Sequence, residues 1–140
     1  MVSFVLDASA ILRFLDGEAG VERVGEIIKL HVASEARCLV SAIHWGEVSG
    51  TLLKRLGPQP AATVMDRLKA LDFEIVTINA ERAARAARIK VKRKIPYADA
   101  FGVELAGSSP DHLLVTADFD VTPAVNDIRI EFLPRKLTSA

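Results

Sequence analysis

The chain has 140 residues and a mass of 15.2 kDa, the size of a single domain. Half of the residues are hydrophobic and 26% are charged, which excludes a disordered tail. The 18 basic side chains balance 18 acidic ones, and zero net charge taken at face value argues against a general nucleic-acid or membrane binder.

A lone cysteine, Cys38, excludes an intramolecular disulfide and a thiolate zinc site. No apolar run approaches the roughly 18 residues of a membrane span. The opening MVSFVLDASA has no basic n-region and is interrupted by Asp7, so no secretory signal is expected and the setting reads as reducing and cytoplasmic. Repeats, low-complexity tracts and linker-like stretches are missing, which gives one domain over residues 1–140.

In chain order, Val2–Leu6 is a short, mostly apolar run suited to a strand buried on both faces. Ser9–Leu15 follows as a helical segment, and a second helical pattern runs from Glu18 to about Ala33, with Val21, Val24, Ile27, Ile28 and Val32 at helical spacing. Arg37–Ser41 reads as a strand, and Ile43–Leu56 as a helix closed by Gly57-Pro58. Pro60 to Leu71 is the next helix and Phe73–Ile78 the third strand. Asn79 suits the cap of a helix through the arginine-rich stretch to about Arg93, and Pro96 the first turn of one reaching about Ala106. Strands at His112–Thr116 and Ile128–Phe132 complete the pattern. Strands alternating with helices predict an α/β fold, with a mainly parallel central sheet of about five strands and helices on both faces. Sites in such sheets form outside the carboxyl ends of the strands.

Acids stand at that edge. Asp7 ends the first strand, and Asp118 follows the fourth after one alanine; each alone reads equally well as a helix cap or turn former. Asp99 lies in a helix that is apolar nearly all round, stacked with Gly102, Val103 and Ala106. An ionised carboxylate there needs several kcal/mol of compensation, whereas its own helix terminus offers about 0.3–1 kcal/mol, which favours a functional role. Glu104, some 140° further round by helix geometry, is expected to be solvated. Glu47 borders the apolar stripe of Val48, Leu52 and Leu56, and alone would be an ordinary surface glutamate. Together Asp7, Glu47, Asp99 and Asp118, with Asp120 close by, would repel one another unless a cation were present. Oxygen ligands without Cys or clustered His indicate a hard metal, Mg²⁺ or Mn²⁺, of the kind that serves phosphate chemistry.

These residues resemble the PIN-domain ribonucleases, and within them the VapC-type toxins of toxin–antitoxin modules. The resemblance runs through Val5-Leu6-Asp7-Ala8-Ser9-Ala10, Ile43-His44-Trp45-Gly46-Glu47-Val48, Tyr97-Ala98-Asp99-Ala100-Phe101, Leu114-Val115-Thr116-Ala117-Asp118-Phe119-Asp120 and Ile130-Glu131-Phe132-Leu133-Pro134. It implies that Asp7, Glu47, Asp99 and Asp118 form the catalytic quartet around one or two Mg²⁺ or Mn²⁺ ions. Asp7, Asp99 and Asp118 would be ligands, Asp120 a more variable acid of the same pocket, and Ser9 and Thr116 supporting hydroxyls. Many relatives carry Gly in place of Ala117 and Phe in place of Val121, a departure that touches loop geometry around Asp120 rather than the acids. The implied reaction is hydrolysis of an RNA phosphodiester to 5′-phosphate and 3′-hydroxyl ends. Glu47 would bind a second metal or orient the attacking water. A cognate antitoxin would lie across the pocket, and homodimers are common in the family.

Residues 82–94 hold seven of the 18 basic side chains and no acid, so the remainder of the chain is net acidic. Arg82, Arg85 and Arg88 recur at spacing three, a stripe that reads equally as a solvated helix face. Arg85, Lys90, Lys92, Arg93 and Lys94 are the candidates for contacting the RNA backbone, since a cationic approach to a metal site is what phosphates require. His31, His44 and His112 accompany no nucleophile at a recognisable spacing and are read as structural. Trp45 reads as a packing residue, and Cys38 as a buried small hydrophobe. Two other functions remain open. A phosphatase with an aspartyl nucleophile would want a second Asp where Ser9 stands, and a catalytically silent PIN-like module would bind RNA or a partner without cutting.

Overall fold

Val5, Leu6, Leu39, Val40, Leu114 and Val115 are all buried, which makes their three short runs the middle of a sheet. The computed structural model describes residues 1–136; the last four positions of the domain expected over 1–140 lie outside the described residues. The elements are β1 (Ser3–Leu6), α1 (Ala8–Asp16), α2 (Val21–Val32), β2 (Arg37–Ser41), α3 (Ala42–Leu56), α4 (Pro58–Ala70), β3 (Glu74–Val76), α5 (Ala80–Arg93), α6 (Tyr97–Ala106), β4 (His112–Thr116), a 3-10 helix (Phe119–Ala124) and β5 (Ile130–Phe132).

All four strand pairings are parallel, in the order β3-β2-β1-β4-β5. Alternate residues of each central strand serve separate cores. Phe4, Leu6, Cys38, Val40 and Val115 pack against α1 to α4, whereas Val5, Leu39 and Leu114 pack against α5, α6 and the 3-10 helix. The chain builds outward from β1 to β3, then returns to place β4 on the other side of β1. That reversal puts a topological switch point between β1 and β4. Leu6 is paired with Val115, so Asp7 and Thr116 leave their strands side by side.

The departures from expectation have local causes. The second helix begins at Val21 rather than Glu18 because Gly20 adopts φ +96°, outside helical geometry. A Cβ on Gly20 would also stand 3.0 Å from the Cβ of Leu133. Gly20→Ala therefore combines left-handed strain with overpacking and is expected to lower stability by about 2 kcal/mol or more, read as a shifted urea midpoint at unchanged slope. The fourth helix starts at Pro58, not Pro60, because Gly57 closes α3 and also opens α4, with Pro58 in its first turn. Edge strand β3 is shorter than Phe73–Ile78 because its only neighbour, β2, turns into α3 after Ser41. Strand β5 likewise begins at Ile130 instead of Ile128, and the 3-10 helix was not anticipated.

Candidate metal centre

Asp7 is fixed before any ligand arrives. It caps α1 through Oδ1, which accepts the Ala10 N–H at 3.0 Å and the Ser9 hydroxyl at 2.6 Å. Its Oδ2 accepts the Thr116 hydroxyl. Ser9 Oγ in turn accepts the Ala117 N–H at 2.8 Å, and Thr116 Oγ1 accepts the Asp118 N–H at 2.9 Å. Cap and site are therefore one arrangement, and Ser9 and Thr116 stitch the end of β1 to the loop after β4.

Asp118 caps the 3-10 helix, accepting the Asp120 N–H at 2.9 Å. Asp99 projects from the first turn of α6, whose remaining residues from Ala100 to Ala106 are all buried. One carboxylate oxygen from each of Asp99, Asp118 and Asp120 lies within 4.8 Å of the others. Asp7 and Glu47 stand outside that tight group but near enough to act on it. Burial pushes the Asp99 carboxyl up to about 8, helped by its hydrogen bond and charge interaction with Asp118 and by the charges of Asp7 and Glu47. Among the described residues no lysine or arginine forms an ion pair with any of these five acids. The acids have no ion-paired partner cation among the described residues, and a hard divalent cation fits their all-oxygen donors.

Glu47 is exposed on α3, 3.9 Å from His44 Nε2. His44 is fully buried, and its Nε2–H donates to the Ala98 carbonyl at 2.9 Å, tying α3 to the turn that carries Asp99. Its Nδ1 has no hydrogen-bond partner among the described residues. A Cβ on Gly102 would come within 3.1 Å of the ring, so the glycine makes room for it. The other two histidines also bond to backbone: His31 with Cys38 N–H and Leu71 O, His112 with Leu105 O. Trp45 packs on the core, and Cys38 is buried with its thiol pushed up to about 12 by desolvation.

Glu104 requires correction. It is not solvated: its side chain is 3% exposed and receives Arg82 at 2.7 Å and Arg85 at 2.9 Å. The arginines supply from α5 the compensation that α6 lacks. This changes the reading of the basic stretch, because Arg82 and Arg85 are engaged internally and Arg93 makes a two-pronged pair with Asp127 at 2.6 Å. Arg88, Lys90, Lys92 and Lys94 have no ion-pair partner among the described residues. The groove of about 810 Å³ along α5 contains none of the five acids in its lining. A second cleft, about 490 Å³, has Ser9, Ala117 and Asp118 in its wall, together with Phe119, Arg55 and Arg135. Sequence reasoning missed this second cationic wall, because Arg135 is a lone arginine beyond the last strand and shows no periodic pattern.

An acid-ringed switch point at the carboxyl edge of a five-stranded parallel sheet defines an α/β protein with a candidate site for a hard cation. Residues 4–124 match the PIN domain model, and the chain belongs to that family. Its fold is similar to that of the DNA-bound VapBC complex of Salmonella typhimurium, with a TM-score of 0.73, 21% identity, and coverage of 94% of this chain and 98% of that one. It is similar as well to VapBC2 of Rickettsia felis bound to a promoter DNA fragment, with a TM-score of 0.75, 12% identity and coverage of 94% and 98%. The sarcin–ricin loop cleaving toxin VapC20 of Mycobacterium tuberculosis matches with a TM-score of 0.67 at 16% identity, covering 94% of this chain and 99% of that one. No protein of curated function matches the chain. No helix among the described residues is long and apolar enough to cross a membrane.

Proposed function

We propose that this chain is a Mg²⁺- or Mn²⁺-dependent endoribonuclease, the toxin of a toxin–antitoxin pair. The observation that carries the reading is the cluster of Asp99, Asp118 and Asp120 within 4.8 Å, with no Lys or Arg ion-paired to it among the described residues. Membership of the PIN family and the likeness of the fold to VapC toxins support it. Asp99, Asp118 and Asp120 would hold one or two ions, with Asp7 completing the donor set from its rigid seat. A bound ion supplies a water of lowered pKa and a charge set against the phosphoryl oxygens. Ser9 and Thr116 hold Asp7 in one orientation, so its carboxylate needs no reorganisation. Glu47, solvent-facing at the rim, orients the attacking water. RNA is the substrate, the cognate antitoxin covers the acidic cleft, and the chain pairs with a second copy in a cytoplasmic setting.

The test is cleavage of total RNA with Mg²⁺, with Mn²⁺ and with EDTA. Metal-dependent fragments bearing 5′-phosphate ends are expected, abolished by EDTA and restored by excess metal. Release of phosphate from small phosphoesters with RNA left intact would replace this reading by the phosphatase, and RNA binding without any cleavage by the silent module.

Phosphate contacts along α5 fall to the unpaired side chains Lys90, Lys92 and Lys94, with Arg85 and Arg93 contributing only what their internal pairs leave. Reversing those three lysines to glutamate is expected to weaken RNA binding and to flatten its salt dependence by about 0.7 per lost phosphate contact, leaving metal affinity nearly unchanged. Filter binding across a salt series reads both quantities. Keeping Arg93 out of the variant preserves its pair with Asp127, so the result is not confounded by a loosened helix end.

A further inference from the structure

The cleft between α1 and the end of β5 has one of the acids, Asp118, in its wall. Phe119, in the same wall, stacks on Phe132, with centroids 5.0 Å apart and ring planes 10° from parallel. The Arg135 guanidinium lies over Phe119, its central carbon 3.8 Å from the ring centroid. Phe119 thus has both an aromatic ring and a guanidinium against it, and Arg135 is the exposed member of the three. Arg135 is exposed and has no ion-pair partner among the described residues, whereas its neighbours in the cleft, Arg55 and Lys136, are paired with Asp16 and Glu18.

A cation that only attracts phosphate needs no aromatic ring beneath it, although the contact itself is favourable. A guanidinium restrained over a ring presents a delocalised plane, and such planes are surfaces on which unpaired nucleobases stack. The cleft, at about 490 Å³, falls in the range of small-ligand sites. Asp118 directly precedes Phe119, so the stack and the acidic centre are adjacent along the backbone.

We infer that the Arg135–Phe119 stack is a nucleobase subsite, seating one unpaired base of the RNA beside the bond that is cut. The inference rests on the nuclease reading for the place of cleavage and on the cleft itself for the binding. It makes the substrate locally single-stranded at that position, since a paired base cannot reach the guanidinium plane. Arg135 is a binding residue, touching a neighbouring base and not the reacting atoms.

The experiment compares Arg135 with Arg135→Lys, which keeps the charge and loses the plane. Binding is measured by fluorescence anisotropy in an Asp99→Asn background with Mg²⁺, using a labelled single-stranded RNA and the same strand made abasic. With bases present, R135K is expected to bind roughly tenfold more weakly, near the low end for one stacked base. On the abasic strand the two proteins should bind alike. Equal affinity for the base-bearing strand would show that charge suffices, and an equal loss on both strands would show a phosphate contact; either result overturns the subsite. Cleavage by the chain with Asp99 intact is scored separately. A chain that discriminates the strands through Arg135 and cuts neither refutes the nuclease reading alone.

Discussion

Asp99→Asn is expected to lower metal-dependent RNA cleavage by at least about 100-fold, since even residues that merely support a metal ligand are worth ~10–100-fold. The same variant separates two pH effects. In the metal-free chain the Asp99 carboxyl is pushed up to about 8, chiefly by burial and then by Asp118, Asp7 and Glu47. An unfolded aspartate titrates near 3.9, so between about 4 and 8 the folded state retains a proton that the unfolded state has lost. Stability of the metal-free protein therefore falls as pH rises through that window. The limiting slope is about 1.4 kcal/mol per pH unit, diminished by solvent screening at a half-buried carboxyl. Metal uptake runs the other way. The ion must displace the Asp99 proton, so its affinity rises with pH up to about 8 and then levels. In Asp99→Asn both pH dependences flatten, because the side chain no longer titrates. Calorimetric titration with Mn²⁺ and urea unfolding, each across pH, give the two curves. A metal affinity that rises equally steeply in the variant would assign the titrating proton to another group.

The second large effect concerns stability. Truncating both Arg82 and Arg85 to alanine leaves the Glu104 carboxylate, 3% exposed, with neither of its charge partners. Removing the partners of a buried charge destabilises by about 3–5 kcal/mol. The converse change is gentler. Glu104→Gln frees two arginines that are 23% and 43% exposed and can turn to water, and it leaves an amide that still accepts a hydrogen bond. About 1–3 kcal/mol is expected there. Glu104→Leu should be milder than the double truncation despite losing every hydrogen bond, since apolar replacements of buried ion pairs are often tolerated. Urea unfolding of the three variants ranks them, and a double truncation no worse than Glu104→Gln would mean that water reaches Glu104.

The acids at the sheet edge were legible because strand order is constrained by the physics of parallel sheets, and because Asp99 sits in a helix too apolar to tolerate it for nothing. That β1 and β4 are neighbours needed the structure, but the likelihood of two strand-end aspartates meeting at a switch point did not. Glu104 was misread because its partners lie outside its own helix. A helical wheel shows what one helix surrounds itself with, and the two arginines that bury Glu104 belong to the helix before. Spacing offered a signal: Arg82 and Arg85 stand three apart on one face, the geometry needed to grip a single carboxylate. Gly20 and Gly57 shifted helix starts by a few residues through backbone angles that composition does not encode. The Phe119–Arg135 stack left no periodic trace, since its members lie on either side of a strand and are joined only by tertiary packing.

The hydrogen bonds from Ser9 and Thr116 that seat Asp7 have a consequence in time. Asp7 is made early and Asp120 late, and the ring of contacts joining them spans a sequence separation of more than 100 residues. At synthesis rates of about 5–20 residues per second, roughly 6–23 s pass between the two. A chain still being translated thus carries Asp7, Glu47 and Asp99 without Asp118 and Asp120, and the acidic cluster is complete only once β4 docks beside β1. Delay is written into the order of the strands.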